Sequence, residues 1–217
     1  FKYKLKHKMS ETFYYITFFI LTLIVSFYLN GYINKIFVGN KLTDPVNERS
    51  SHKYPATRSG GLSVFFTICL ACAFGVSTGK LVIPLYALLS VFFLTLTGFA
   101  DDLINVRYRE KLFLQLFAAV LMFQSGYSID SFHGVFNIYE VPWWLELTSS
   151  LFVFVVVVNA LNLIDGLDGM ASFISMKFFL IAGGIILVSK TEWFLFFPII
   201  ISALVGFLWF NFNRNKK

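Results

Sequence analysis

Residues 151–158 read Leu-Phe-Val-Phe-Val-Val-Val-Val, eight apolar side chains in a row with neither a two-residue nor a 3.6-residue period. Such a run belongs either in a buried core or in hydrocarbon. Comparable runs recur along the chain, and the totals decide between the two. Of 217 residues, 57% are hydrophobic and only 14% charged. A soluble domain would carry about 25% charged residues. The pattern predicts an all-α integral membrane protein of about seven transmembrane helices joined by short loops, at about 13–38, 61–78, 82–100, 112–126, 147–162, 171–189 and 193–210. The fourth and fifth are short for a bilayer core of about 30 Å and are expected to extend into their flanks. No internal repeat and no soluble insert interrupts them, so residues 1–217 read as a single membrane domain.

The net charge of +6 fits anionic lipid heads and topology. The basic residues are not interleaved with aromatics on an extended polar surface, so the bilayer is the expected partner and nucleic acid is not. Alternation of spans puts loops 39–60, 101–111 and 163–170 and the C-terminal tail on one side, with Lys41, Arg49, Lys53, Arg58, Arg107, Arg109, Lys111, Arg214, Lys216 and Lys217. That bias makes this side cytoplasmic, against the pull of Lys2, Lys4, Lys6 and Lys8 before the first span. Those lysines and the run after them read as a signal anchor or first span, since the run is too long for a cleaved signal. Trp143 and Trp144 read as interface anchors in the opposite, external loop, where His133 is expected to be exposed. Lys177 is expected to snorkel. Cys69 and Cys72 lie in an apolar run with no His or carboxylate nearby, so they read as packing residues.

Three polar islands fall on the cytoplasmic side. The first runs from Asp44 to Gly61 and contains Arg49, His52, Lys53 and Arg58, which suit phosphate oxygens, while Gly60 and Gly61 permit a close backbone approach. Taken by itself it reads first as a solvated, positive-inside loop. The second is Gly98-Phe-Ala-Asp-Asp-Leu-Ile-Asn105, followed by Arg107, Arg109, Lys111 and Gln115. Adjacent carboxylates at the end of a span repel unless a cation or proton lies between them, so Asp101 and Asp102 either hold Mg2+ or supply a base. The plainer alternative is an acidic turn paired with the basic residues that follow it. The third is Asn159-Ala-Leu-Asn-Leu-Ile-Asp-Gly-Leu-Asp-Gly-Met170, which sets two amides, two carboxylates and two glycines directly after the apolar run. Asn159 and Asn162 share a helix face, and Gly166 and Gly169 form a loop that aims Asp165 and Asp168. Ionisable and amide groups at the mouth of a membrane helix point to function more than to capping. The helix before the loop presents its negative end there, which favours a bound cation. Asn211 closes the last span on the same side.

In this order the islands resemble the polyprenyl-phosphate N-acetylhexosamine-1-phosphate transferases, the membrane glycosyltransferase family 4. The resemblance rests on Asn47-Glu-Arg-Ser-Ser-His-Lys53 with Arg58-Ser-Gly-Gly61, Gly98-Phe-Ala-Asp-Asp-Leu103 with Lys111 and Gln115, Asn159 to Met170, and Gly206-Phe-Leu-Trp-Phe-Asn211. It implies a cytoplasmic active site in a bacterial-type inner or plasma membrane. It also implies Mg2+, with Mn2+ as the substitute ion, and a homodimer as the candidate assembly. The implied reaction moves a sugar-1-phosphate from a UDP-N-acetylamino sugar to undecaprenyl phosphate and releases UMP. Carried over by position, Asp101, Asp102 and Asp165 are the catalytic and metal-binding residues. His52, Lys53, Arg58, Lys111, Asn159, Asn162, Asp168 and Asn211 bind substrate. The first island is most like members that start O-antigen or other surface polysaccharides.

The departures from the family are specific. Thr57 stands where the family often has Pro. After the residue matching Asn211 the family usually continues with a Pro-Ala segment, a Phe-Met-Gly-Asp-x-Gly-Ser motif whose aspartate is a metal ligand, and a histidine-rich loop. Neither motif stands between Asn211 and Lys217. The expectation is a C-terminally truncated chain with little or no activity by itself. Two rival readings are an intramembrane Mg-dependent prenyltransferase, which would want a second Asp-rich motif, and a cation-coupled transporter.

Overall fold

The computed structural model describes residues 2–44, 56–57, 59–164, 169–189 and 192–212. Seven α-helices lie among them: α1 Lys2–Gly39, α2 Gly60–Ser77, α3 Leu85–Ile104, α4 Tyr108–Gln124, α5 Trp143–Ile164, α6 Met170–Ser189 and α7 Phe196–Phe212. A two-residue antiparallel pair, β1 Thr43–Asp44 with β2 Ala56–Thr57, bridges the segment between α1 and α2. The protein is an all-α integral membrane protein. Four helices, within Phe13–Gly39, Gly60–Ser77, Leu85–Ile104 and Trp143–Ile164, are long and apolar enough to cross a bilayer, while α6 and α7 supply shorter apolar segments.

Each expected span coincides with a helix, and the differences are at the ends. The fourth and fifth do extend: α4 begins at Tyr108 and α5 runs 22 residues from Trp143, about 33 Å at 1.5 Å per residue. α3 continues to Ile104, so Asp101 and Asp102 sit in its last turn rather than in a loop. α1 starts well before the apolar run, at Lys2.

Burial is inverted relative to a soluble fold. Fully buried side chains include Ser26, Ser63, Thr67, Ser90 and Ser202, whereas Phe152 and Phe178 are 69% and 64% exposed. In lipid no hydrophobic force drives helices together, so small and hydroxyl-bearing residues that allow close approach form the contacts, and large apolar side chains face outward.

The packing divides the chain into two compact units, 1–82 with 165–217, and 83–164. In the first, α7 packs against α1, α2 and α6. Its Ile199 and Ala203 are completely enclosed. A buried polar seam joins α1, α2 and α7. Ser26 Oγ donates to the Ala203 carbonyl at 2.9 Å, Asn30 Nδ2 donates to the Ser26 carbonyl at 2.8 Å, and Ser63 Oγ donates to Asn30 Oδ1 at 2.5 Å. Two glycines make this approach possible. A Cβ on Gly206 would overlap the Ser26 side chain, and one on Gly60 would overlap the Phe207 ring. The close approach expected at Gly60 is therefore made by Phe207.

In the second unit α4 lies between α3 and α5. Ser90 Oγ of α3 donates to the Ala118 carbonyl of α4 at 2.7 Å, beside the buried Ala118 and Ala119, and Phe93 meets Phe117 edge-on at 5.1 Å. The connection from α4 to α5 folds back on itself. The Val141 amide donates to the Asp130 carbonyl at 3.1 Å, and Gly134, at φ 86°, turns the chain. Ser128 Oγ donates to Glu146 Oε1 at 2.6 Å and ties the connection to α5. Trp143 and Trp144 are exposed at the start of α5, as befits interface anchors, and His133 is exposed too.

Gly206→Ala should lower stability by about 1–3 kcal/mol through overpacking against Ser26. Thermal unfolding in detergent checks this, and the Ser26→Gly/Gly206→Ala pair should recover part of the loss.

Candidate active site

The second unit carries Asp101 and Asp102. α3 stops at Asn105, which takes a left-handed conformation at φ 49° and donates its amide to the Asp101 carbonyl at 3.0 Å. Asn tolerates this conformation better than most residues with a Cβ. The chain then turns through Val106 and Arg107 into α4, which brings Lys111 back beside the last turn of α3. Lys111 Nζ donates to Asp101 Oδ2 at 2.7 Å and to Asn162 Oδ1 of α5 at 3.3 Å. One ammonium thus gathers an oxygen from each of two neighbouring helices. The Asp101–Lys111 ion pair is partly exposed, so solvent weakens it without dissolving it. Asp102, the next residue along α3, is exposed.

One turn deeper a second polar layer joins α4 to α5. Asn159 Nδ2 donates to Gln115 Oε1 at 2.8 Å, Gln115 Nε2 donates to Asn159 Oδ1 at 3.3 Å, and Asn159 Nδ2 also donates to the Val155 carbonyl at 2.8 Å. Gln115 is only 2% exposed. The i, i+3 spacing of Asn159 and Asn162 and the i, i+4 spacing of Lys111 and Gln115 therefore put each pair on one helix face, and the two faces meet. The Gln115–Asn159 pairing is the site feature that sequence reasoning missed. The sequence marks Gln115 as part of the second island, an amide within an apolar helix four residues after a lysine, but not as a partner of Asn159.

The first unit holds other described residues that the sequence singles out. Gly169 has φ 72°, and a Cβ there would meet Leu208 Cδ2 at 3.0 Å, Phe212 Cζ at 3.0 Å and Asn211 Nδ2 at 3.3 Å. The end of the third island thus lies against the end of α7, with half-buried Asn211 beside the Gly169 backbone. At the start of α2, Thr57 Oγ1 donates to Asn34 Oδ1 at 2.6 Å and shares a hydrogen bond with Ser59 Oγ at 2.9 Å. Where the resembling family often has Pro, this chain has a hydroxyl that pins the first island to α1. His52, Lys53, Arg58, Asp165 and Asp168 lie outside the described residues.

The donor chemistry suits a hard divalent ion. Asp101 Oδ2 and Asn162 Oδ1 already converge on a positive charge, and carboxylate and amide oxygens are the ligands such an ion takes, with waters and substrate oxygens completing the shell. Among the described residues no three His, Cys, Asp or Glu side chains cluster as a ready metal cage.

The sequence profile of glycosyl transferase family 4 matches residues 84–216. Over 213 residues the chain is 26% identical to a probable undecaprenyl-phosphate N-acetylglucosaminyl 1-phosphate transferase of Bacillus subtilis, covering 91% of this chain and 56% of that protein. It is 29% identical over 216 residues to the phospho-N-acetylmuramoyl-pentapeptide-transferase of Streptococcus sanguinis, covering 91% of this chain and 64% of that protein. The same-named enzyme of Streptococcus gordonii is 30% identical over 219 residues, covering 93% of this chain and 65% of that protein. The chain therefore spans 56–65% of the length of these three relatives.

A double-mutant cycle of Lys111→Met and Asp101→Asn, read by unfolding in detergent, should return a coupling of about 0.5–1 kcal/mol for this partly screened contact pair. A coupling of zero would mean that the ion pair adds nothing to the stability of the folded protein.

Proposed function

This chain belongs to glycosyl transferase family 4, and we propose on that footing that the intact enzyme transfers an N-acetylamino sugar 1-phosphate from its UDP donor to undecaprenyl phosphate. A phosphate oxygen of the lipid attacks the β-phosphorus of the UDP-sugar. The bond from that phosphorus to the bridging oxygen breaks, UMP leaves with the bridging oxygen, and the sugar stays on the lipid through a diphosphate. The observation that carries the reading is the convergence of Asp101, Lys111 and Asn162 from three helices at the end of one unit. Phosphoryl transfer asks of a protein mainly positioning and charge neutralisation, and this arrangement offers both signs of charge at hydrogen-bonding distance.

Asp101 and Asp102, with Asp165, are the residues that would hold Mg2+, which when bound neutralises charge on the diphosphate and polarises it toward attack. The Lys111 ammonium, no longer needed to balance Asp101 once a divalent ion is present, is free to take a phosphate oxygen. Asn162, Asp168 and Asn211 would bind the donor nucleotide, and His52, Lys53 and Arg58 would supply phosphate-binding charge from the first island. Asp101, Asp102 or Asp165 deprotonates the lipid phosphate where it is still protonated. The active site faces the cytoplasm of a bacterial inner or plasma membrane, in keeping with the basic loops on that side. The name of the Bacillus subtilis relative supports N-acetylglucosamine as the sugar.

The intact enzyme should release UMP from a UDP-N-acetylamino sugar only when both a divalent ion and a polyprenyl phosphate are supplied. Asp101→Asn and Asp165→Asn should each lower kcat by about 10²–10³, the usual loss when one preorganised electrostatic group is removed. Unchanged turnover in either variant would remove that residue from the mechanism, and UMP release without a lipid acceptor would overturn the reaction.

A further inference from the structure

Gln115 has no part in the chemistry above and almost no surface to offer a substrate, yet it places a primary amide inside an apolar helix at 2% exposure. Both amide hydrogens of Asn159 are committed, one to Gln115 Oε1 and one to the Val155 carbonyl, each at 2.8 Å. Its oxygen accepts from Gln115 Nε2 at 3.3 Å. No donor on Asn159 is left for a substrate. The two amides instead face each other across α4 and α5, one turn deeper than the layer in which Lys111 meets Asn162 and Asp101.

We infer that the Gln115–Asn159 amide pair is a positioning device, which sets the register of α4 on α5 so that Lys111 reaches Asp101 and Asn162 together. The physical reason is that apolar contacts between membrane helices are poor at fixing register. The described α4 and α5 surfaces are largely Leu, Phe and Val, and lipid tails replace such contacts at little cost. Sliding or rotating one helix past the other would leave two amides without partners where no water can replace them, so a single register is favoured. Because α4 and α5 run antiparallel here, fixing 115 against 159 also fixes 111 against 162, one turn toward the ends of both. Asn159 and Gln115 then act on the reaction through Lys111 and Asn162.

The inference rests on the transferase reading for its kinetic test, so a second readout independent of turnover is needed. The intact enzyme would be prepared as wild type, as Gln115→Leu, as the reciprocal swap Gln115→Asn/Asn159→Gln, and as the Gln115→Leu/Asn159→Leu pair, which leaves no orphaned amide if the single variant does not fold. UMP release gives kcat and KM, and mass spectrometry gives the rate at which Lys111 is modified by an amine-reactive reagent. Gln115→Leu and the Leu/Leu pair should lower kcat about tenfold or more with KM for the UDP-sugar changed by less than about threefold, the mark of lost alignment rather than lost binding. Lys111 should react several times faster in both, and the swap, which restores an amide pair of the same combined length, should recover most of both quantities. Wild-type kcat and wild-type Lys111 reactivity in the folded Leu/Leu pair would overturn the inference. So would a folded swap that restores Lys111 protection but not turnover, since Asn159 or Gln115 would then touch substrate itself. If the wild type releases no UMP, the transferase reading falls, and Lys111 reactivity alone decides whether the amide pair positions it.

Discussion

A polar group placed in hydrocarbon must find its partner within the protein, because no water is there to supply one. That constraint organises both units. In the first, Ser26, Asn30 and Ser63 hand hydrogen bonds from helix to helix, and Gly60 and Gly206 let the backbones close in. In the second, Ser90 binds the Ala118 carbonyl, Gln115 binds Asn159, and Lys111 binds Asp101 and Asn162. The large apolar side chains are left to face lipid and say little about which helix lies next to which.

The same constraint explains why the proposed chemistry sits where it does. A carboxylate at the end of α3 is tolerable because an ammonium ten residues later is folded back onto it by the left-handed Asn105 turn. The ion pair has one foot in solvent, so it can be opened by a competing cation or phosphate without exposing a buried charge. The layer below it, Gln115 with Asn159, is closed to solvent on the Gln115 side and hydrogen-bonded on both. A rigid inner layer under an exchangeable outer one is what phosphoryl transfer asks of a scaffold.

Much of this was legible from the residues alone. The long apolar runs placed all seven helices, because span length and continuous hydrophobicity report on the bilayer and not on any tertiary contact. The islands Asp101-Asp102 and Asn159 to Gly169 stood out because polar groups next to hydrocarbon are rare unless used. The family resemblance was carried by those islands, and the family profile covers residues 84–216. Helix ends were less legible. The Asp101-Asp102 pair read as a loop, yet α3 runs on through it to Ile104, since a span can continue past the apolar run into the interface.

Sequence by itself determined the membrane class, the order of the described helices and the polar islands that point to the chemistry, because these follow from local hydrophobicity and residue type. Only the tertiary structure decided who meets whom. It set Gly60 against Phe207, gave Thr57 a partner in Asn34, and put Lys111 between Asp101 and Asn162. It also made Gln115, which the sequence marked only as part of the second island, the partner of Asn159. Apart from Lys111 with Asp101, those pairings join residues more than twenty positions apart, and nothing in the local pattern of either helix records the face its neighbour will offer.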